Sequence, residues 1–372
     1  MSLESLGRAI GERQERRPMR FLLMALLVTL ATLPGLPLLI NHVEPSIEKV
    51  LPQDVEVVRT MNAMRSQYGA DMMYLVLQPS PSSGTVTDLR SPDVLRYEDL
   101  LAQKLRERES ILEVQTLTDL VRRDNRGTLP IDTDTTRRLI AQDPSSPLFL
   151  GEGDDLAIIH IRSDTGASAQ LIRETVDAIG EDVASLEANN PGVTLRLTGF
   201  NAIDKATFEI IIADFASITL WSFLFMLVFL FLYYKGSARK VLLSISVIIL
   251  ALVWTLGLTG YLGITITVVT MVAAAMIMAL GISYGIHTVH RYTELREEHA
   301  PAESLVLMQE ELLRALLGSS LTTSAGFLAL LFGVLPAMKN LGIILAMGIV
   351  ITLAATVLVV PVIIRITDTL EH

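Results

Sequence analysis

Apolar side chains fall into six long runs along the chain, and between the first and second of these the pattern changes to short alternations and helical stripes. The runs cover 21–40, 215–234, 241–260, 264–290, 315–335 and 341–364. A helix rises about 1.5 Å per residue, so about 20 apolar residues cross roughly 30 Å of hydrocarbon. Six transmembrane helices are therefore predicted. The third and fourth are joined only by Gly260, Tyr261, Leu262 and Gly263, which makes them antiparallel neighbours. The second is bulky and apolar throughout, with Trp221, Tyr233 and Tyr234 as interfacial anchors, and reads as lipid-facing. Gly342, Ala346, Gly348, Ala354 and Ala355 in the sixth permit close helix contact. Ahead of the fifth run, 301–313 reads as a separate acidic amphipathic helix at the interface or against the bundle.

Residues 41–214 have the shorter periods of a soluble domain. Helical spacing over 54–68, with Val55, Val58, Met61, Met64 and Arg65 on or beside one stripe, is followed by a strand at 72–78 and a turn-rich segment, 79–85. Ser91 is a candidate N-cap with Pro92 at the first helical position, opening a helix over 94–108. A strand at 111–117, an insertion over 119–153 with a short helix near 134–141, a strand at 156–162, a helix over 167–188 and a strand at 193–198 complete it. The order β-α-β, insertion, β-α-β is the split arrangement called ferredoxin-like. From Ala202 a helical pattern continues unbroken into the second run, carrying Asp204, Glu209 and Asp214 on a face that reads as solvated. The expected architecture is thus an α+β integral membrane protein with one ferredoxin-like βαββαβ domain between transmembrane helices 1 and 2.

Composition agrees, with 51% apolar residues, a mean hydropathy of +0.47 and 19% charged residues. There is no cysteine, so no disulfide framework or thiolate metal site exists. The formal charge is -10, and 41–214 holds 29 acidic side chains against 17 basic ones, which excludes a nucleic-acid surface there. Basic residues in short loops set the orientation. Arg8, Arg13, Arg16, Arg17 and Arg20 precede the first run, Lys235, Arg239 and Lys240 follow the second, and Arg291, Arg296 and Arg314 lie between the fourth and fifth; the opposite loops hold only Lys339. Both termini are expected in the cytoplasm, giving 1–20 as a cytoplasmic start, 21–40 as helix 1, 41–214 as the extracytoplasmic domain, 215–364 as helices 2–6 and 365–372 as a cytoplasmic end. A cleaved signal peptide is the alternative for the first run, opposed by its length and the lack of a small-x-small cleavage site.

The candidate chemistry sits in the fourth run, where Gly281, Ser283, Tyr284, Gly285 and His287 interrupt an apolar stretch. Polar groups at membrane depth are costly, so a cluster of them is a functional candidate. Ser283 and His287 are four apart and Tyr284 and His287 three apart, which places them on one side of a helix. The fifth run supplies Ser319, Ser320, Thr322, Thr323 and Ser324. Counted from the cytoplasmic ends, Ser283 and Thr322 lie at a similar depth, roughly 10 to 12 Å, and His287 at about 5 Å. One reading is a buried coupling relay of Ser283, Tyr284, His287, Thr322 and Thr323, with His287 as the titrating member. The other is that the hydroxyls bond back to carbonyls one turn earlier and the histidine snorkels. No Ser-His-Asp order, metal-ligand spacing or phosphate loop stands out, His42, His160 and His299 are isolated, and nothing calls for a cofactor or an enzymatic role.

Several segments resemble the resistance-nodulation-division superfamily, in its branch of MmpL-like proteins and hydrophobe or amphiphile exporters. They are EPSIEKVLPQD after the first run, LTGFNAIDKATFE before the second, GLTGYLGITI, GISYGIHTVHRYTE, and LTTSAGFLALLFGVLPAMKNLGIILAMGI. The resemblance covers about 44–364 and implies a porter-type outer domain, a sterol-sensing-like membrane region, export of a hydrophobic or amphiphilic molecule or lipid, and proton coupling. Two departures matter. The family's fourth-span pattern Gly-x-Asp-Tyr has Ser283 in place of the proton-carrying Asp, while Tyr284 and His287 match. A serine does not titrate near neutral pH, so His287 or a carboxylate of another subunit would have to take that role. Family members also carry two such halves, which implies a partner for this one: a second copy of itself in a two-fold dimer, or a homologous half. Leu370, Glu371 and His372 read as a tag junction. The competing readings are a non-transporting sensor or assembly module like the sterol-sensing domains, and a protein-translocation accessory like the SecD and SecF pair.

Overall fold

The computed structural model describes residues 3–46, 50–68, 72–81, 86–151, 153–165 and 168–369, with backbone only at 62, 65–68 and 369. The expected turn at 79–85 lies largely outside these residues, as do 47–49, the side chain of Arg65 and the Leu370–Glu371–His372 junction. The chain divides into two compact units, one of 1–52 with 209–372 and one of 53–208.

The first unit opens with α1 (Leu3–Arg16), α2 (Pro18–Thr32) and α3 (Gly35–Asn41). The first apolar run is therefore two helices. Pro37 has no N–H to give to the Leu33 carbonyl, and the chain turns at Leu33–Pro34 before it resumes.

In the second unit the elements follow as α4 (Glu56–Tyr68), β1 (Met72–Pro79), α5 (Pro92–Arg106), β2 (Ile111–Gln115), α6 (Leu117–Asp124), α7 (Thr133–Gln142), β3 (Ala157–Ser163), α8 (Ala169–Ser185) and β4 (Val193–Gly199). The four strands form one sheet in the order β2-β3-β1-β4, antiparallel at every pairing. Met73, Leu75 and Leu77 alternate on β1, and Ile159 and Ile161 on its neighbour β3. They pack with Leu95, Leu101 and Leu105 of α5 and Ile179 of α8 into one core. Segment 119–153, read as a polar insertion with a short helix near 134–141, carries that helix as α7 and most of a second, α6. Strand β2 ends at Gln115 because Thr116 caps α6: its hydroxyl accepts from the Asp119 N–H while the Asp119 carboxylate accepts from the Thr116 N–H.

The chain then returns to the first unit along α9 (Phe200–Tyr233), a single helix as the unbroken pattern from Ala202 predicts, followed by α10 (Ala238–Tyr261), α11 (Ala273–Leu295), α12 (Pro301–Leu328), α13 (Pro336–Leu358) and α14 (Val360–Thr369). Among the described residues six segments are long and apolar enough to cross a membrane: Pro18–Asn41, Phe200–Tyr233, Ala238–Tyr261, Thr270–Leu295, Pro301–Phe332 and Pro336–Asp368. Besides the first, three differ from the expected runs. The fourth begins later: the β-branched stretch from Ile264 is extended, and Ile266 bridges Val43 through hydrogen bonds to His42 and Glu44. Residues 301–313 and the fifth run are one helix, since no Gly or Pro separates Leu313 from Ala315. The sixth breaks at Val359, because Pro361 lacks the N–H that the Val357 carbonyl needs.

Candidate functional site

Helix α11 lies against α10 at Gly285, where a Cβ would sit 2.6 Å from the Ser244 carbonyl oxygen. That contact fixes the rotation of α11. Gly281, Tyr284, Gly285 and Thr288, spaced three and four apart, face inward and are buried. Ser283 is half-buried at the margin of this face, and His287 is exposed beyond it.

Of the five sequence candidates, Tyr284 goes deepest. It is 5% exposed, and its hydroxyl shares a 2.8 Å hydrogen bond with Ser320 Oγ of α12, itself 2% exposed. Thr288 Oγ1 donates to the Tyr284 carbonyl at 2.8 Å. Ser283 Oγ donates to the Leu280 carbonyl of its own helix at 2.8 Å. Thr322 is exposed and donates back to the Gly318 and Ser319 carbonyls at 3.1 and 2.9 Å. Thr323 is half-buried, and Ser324 Oγ reaches the Ala346 carbonyl of α13 at 3.5 Å. The structure thus joins Tyr284 to Ser320 inside the bundle and leaves His287 and Thr322 on its outer surface. In a Tyr–Ser hydroxyl pair either oxygen can donate or accept, so the hydrogen bond can reverse direction.

Two polar clusters escaped the sequence reading. Gln14 of α1, fully buried, donates from Nε2 to the Val357 carbonyl at 2.8 Å and the Leu358 carbonyl at 3.2 Å. Gln309 of α12 donates to Gln14 Oε1 at 2.8 Å and to the Val357 carbonyl. The carbonyl freed by Pro361 is thereby satisfied by two side-chain amides from distant helices. Its signal in the sequence was Pro361 inside an apolar run, together with Gln14 and Gln309 on helix faces that bury themselves.

The second cluster surrounds Asp368 on α14, 8% exposed. Its carboxylate accepts from Arg296 Nε at 3.0 Å, Arg239 Nη2 at 3.3 Å and the Tyr292 hydroxyl at 2.9 Å. These partners come from two separate stretches of chain, the start of α10 and the end of α11, and the only local signal was a carboxylate closing the last apolar run. Among the described residues no group of three or more His, Asp or Glu is placed to hold a metal ion.

Six membrane-length helices around a polar seam, with a separate α/β unit inserted after the first, define a polytopic membrane protein. A family model, the MMPL family, matches residues 49–369, and the chain belongs to that family. A membrane protein of Methanocaldococcus jannaschii is 27% identical over 374 residues, 99% of this chain and 95% of the relative. The probable transport protein MmpL4 of Mycobacterium leprae is 29% identical over 202 residues, 53% of this chain, and the siderophore exporter MmpL5 of Mycobacterium tuberculosis is 28% identical over 218 residues, 57% of this chain. The matched part is 21% of MmpL4 and 22% of MmpL5, so the chain spans about a fifth of those two relatives.

Proposed function

We propose that this chain is a membrane transporter of the RND/MmpL type, moving a hydrophobic or amphiphilic molecule, with lipids included in that class, across or out of the cell membrane as a dimer of six-helix halves. The observation that carries the reading, beside the family, is the outward placement of His287 and Thr322 on α11 and α12, with Ser283 half-buried beside them. Polar side chains on the outside of a bundle, within helices long enough to span, meet hydrocarbon unless another polar surface covers them. A second copy would cover them with the same groups, and the Gly318, Ser319, Thr322 and Gly326 edge of α12 lets helices approach closely. In that dimer His287 belongs to a relay with Ser283, Tyr284, Thr322 and Thr323 and takes the place of the family's aspartate.

The remaining features fit this reading. The four-stranded order and its two crossing helices match the ferredoxin-like porter arrangement, assigned here to the outside because the basic loops lie at the opposite helix ends. Val57, Met61, Met64, Met72 and Phe200 line an apolar hollow of about 670 Å³ in the soluble unit. Methionine-rich surfaces adapt to varied apolar shapes, which suits an amphiphile. The chain on this view performs no covalent chemistry.

A second reading has one observation in its favour: Ser283 spends its hydroxyl on the Leu280 carbonyl, as an uncoupled structural serine does. That describes a sterol-sensing-like sensor. Flux of a fluorescent amphiphile in proteoliposomes under an imposed pH gradient separates the two. Gradient-driven flux in the wild type that His287→Ala abolishes supports the transporter. An inert wild type, with proton flow appearing only in Ser283→Asp, supports the sensor.

A further inference from the structure

At one end of the bundle a cavity of about 380 Å³ opens between the start of α10 and the ends of α11 and α14. Its wall carries three cations, Arg239, Lys240 and Arg296, against a single carboxylate, Asp368. Asp368 is already saturated by Arg296, Arg239 and Tyr292. Lys240 is half-buried and makes no ion pair among the described residues. Arg296 uses Nε on Asp368 and Nη1 on the His299 carbonyl at 2.8 Å, which leaves its Nη2 group for a further acceptor. A half-buried ammonium without a counter-ion is unfavourable, and two uncompensated positive charges in one recess attract an anion. The start of α10 adds its own partial positive charge, since Ser237 there makes no side-chain cap. The deeper wall is apolar, formed by Leu243, Val289 and Ile364.

We propose that this cavity binds a phosphate-bearing anion, held between Lys240 and the free edge of Arg296, with the apolar wall receiving whatever the phosphate carries. Arginine and lysine side chains in such a fork suit phosphate oxygens, and basic recesses at the ends of membrane helices are where anionic headgroups sit. Asp368 acts as the competing internal anion: it holds the two arginines in place and weakens the site. The site needs neither a dimer nor transport.

The test is native mass spectrometry of the full chain purified with phosphatidylglycerol or with phosphatidylcholine of the same acyl chains. Wild type is expected to retain phosphatidylglycerol selectively. Lys240→Gln and Arg296→Gln should each lower that retention about fivefold, the equivalent of ~1 kcal/mol per basic side chain, while Lys240→Arg restores it. Asp368→Asn should raise retention, a gain that a misfolded or merely destabilised variant cannot produce. Inorganic phosphate added in excess tells the sources apart: displacement of the lipid means a free phosphate group suffices, and persistence means the lipid body is needed. Equal retention of the two lipids by wild type, or unchanged phosphatidylglycerol retention in Lys240→Gln and Arg296→Gln, would overturn the proposal.

Discussion

Glu98 is fully buried, and its carboxylate accepts from the Leu117 and Thr118 N–H groups and from the Thr118 hydroxyl. Burial pushes it up, to about 7, against the pull of those three donors. A carboxyl whose folded value lies above its unfolded value adds stability that is complete below about pH 4.5 and lost as pH rises through about 7. The soluble unit should therefore become easier to open between pH 5 and 8, by at most about 3 kcal/mol. Denaturant-dependent proteolysis within residues 92–124 should show that drift in the wild type and a flat profile in Glu98→Gln. Asp88 has the opposite sign: burial raises it, but hydrogen bonds from Arg90 and Arg137 outweigh that and bring it down to about 2. Its contribution is present above about pH 4 and fades as pH falls toward 2, so Asp88→Asn should remove part of the acid sensitivity while leaving the slope above pH 5 unchanged. Neither group was visible in the sequence, because burial sets the first and because Thr118, 20 residues on, and Arg137, 49 residues on, join the local Arg90 only in the folded chain. Ser283 was half legible: its back-bond to Leu280 follows from helix geometry, whereas the exposure of His287 follows from Gly285 meeting α10, which no local pattern encodes.

The amphipathic helix α1 shows what an element gains from two small residues. A Cβ at Gly7 would sit 2.5 Å from the Gln309 carbonyl oxygen, and one at Gly11 would sit 2.9 Å from Val306 Cα. Backbone contact with α12 at that range is what lets Gln14 reach the Val357 carbonyl. Gly11→Leu should force α1 off α12, withdraw Gln14 from the Val357 and Leu358 carbonyls and cost about 2 to 4 kcal/mol through lost packing and lost hydrogen bonds together. Gln14→Ala should cost less, since Gln309 still donates there. Hydrogen exchange of residues 3–16 is the readout, with faster exchange expected in Gly11→Leu than in Gln14→Ala. Most spans, and β1, β3 and β4, were legible at this scale because burial imposes a continuous or alternating apolar pattern. The short helix expected near 134–141 was legible as α7, whereas α6 was not, since a capping box and a polar outer face look like loop; the break at Val359 was hidden by side chains that mask a proline inside apolar sequence.

At the scale of the whole membrane unit, two outer faces differ in chemistry. Helix α9 presents Phe225, Val228, Phe229 and Leu232, all exposed and apolar, as a helix in contact with lipid should. The α11–α12 face presents His287, Ser319 and Thr322 instead, with Ser283 half-buried at its margin. If hydrocarbon covered both, the second would leave polar groups at membrane depth with only back-bonded carbonyls for company. A two-fold pairing through that face meets the need with one surface, because an isologous contact places each residue near its own symmetry mate or a neighbour. The chain has no cysteine, so single-cysteine variants report cleanly. Thr322→Cys in native membranes should cross-link into a dimer with a short bifunctional reagent, and Phe229→Cys on α9 should not. His287→Cys should follow Thr322→Cys, with an efficiency that falls when Gly318→Phe is added to hold the helices apart. Cross-linking through Phe229 with none through Thr322 would place the partner on the other face and leave the polar one to lipid, which would sink the dimer as drawn.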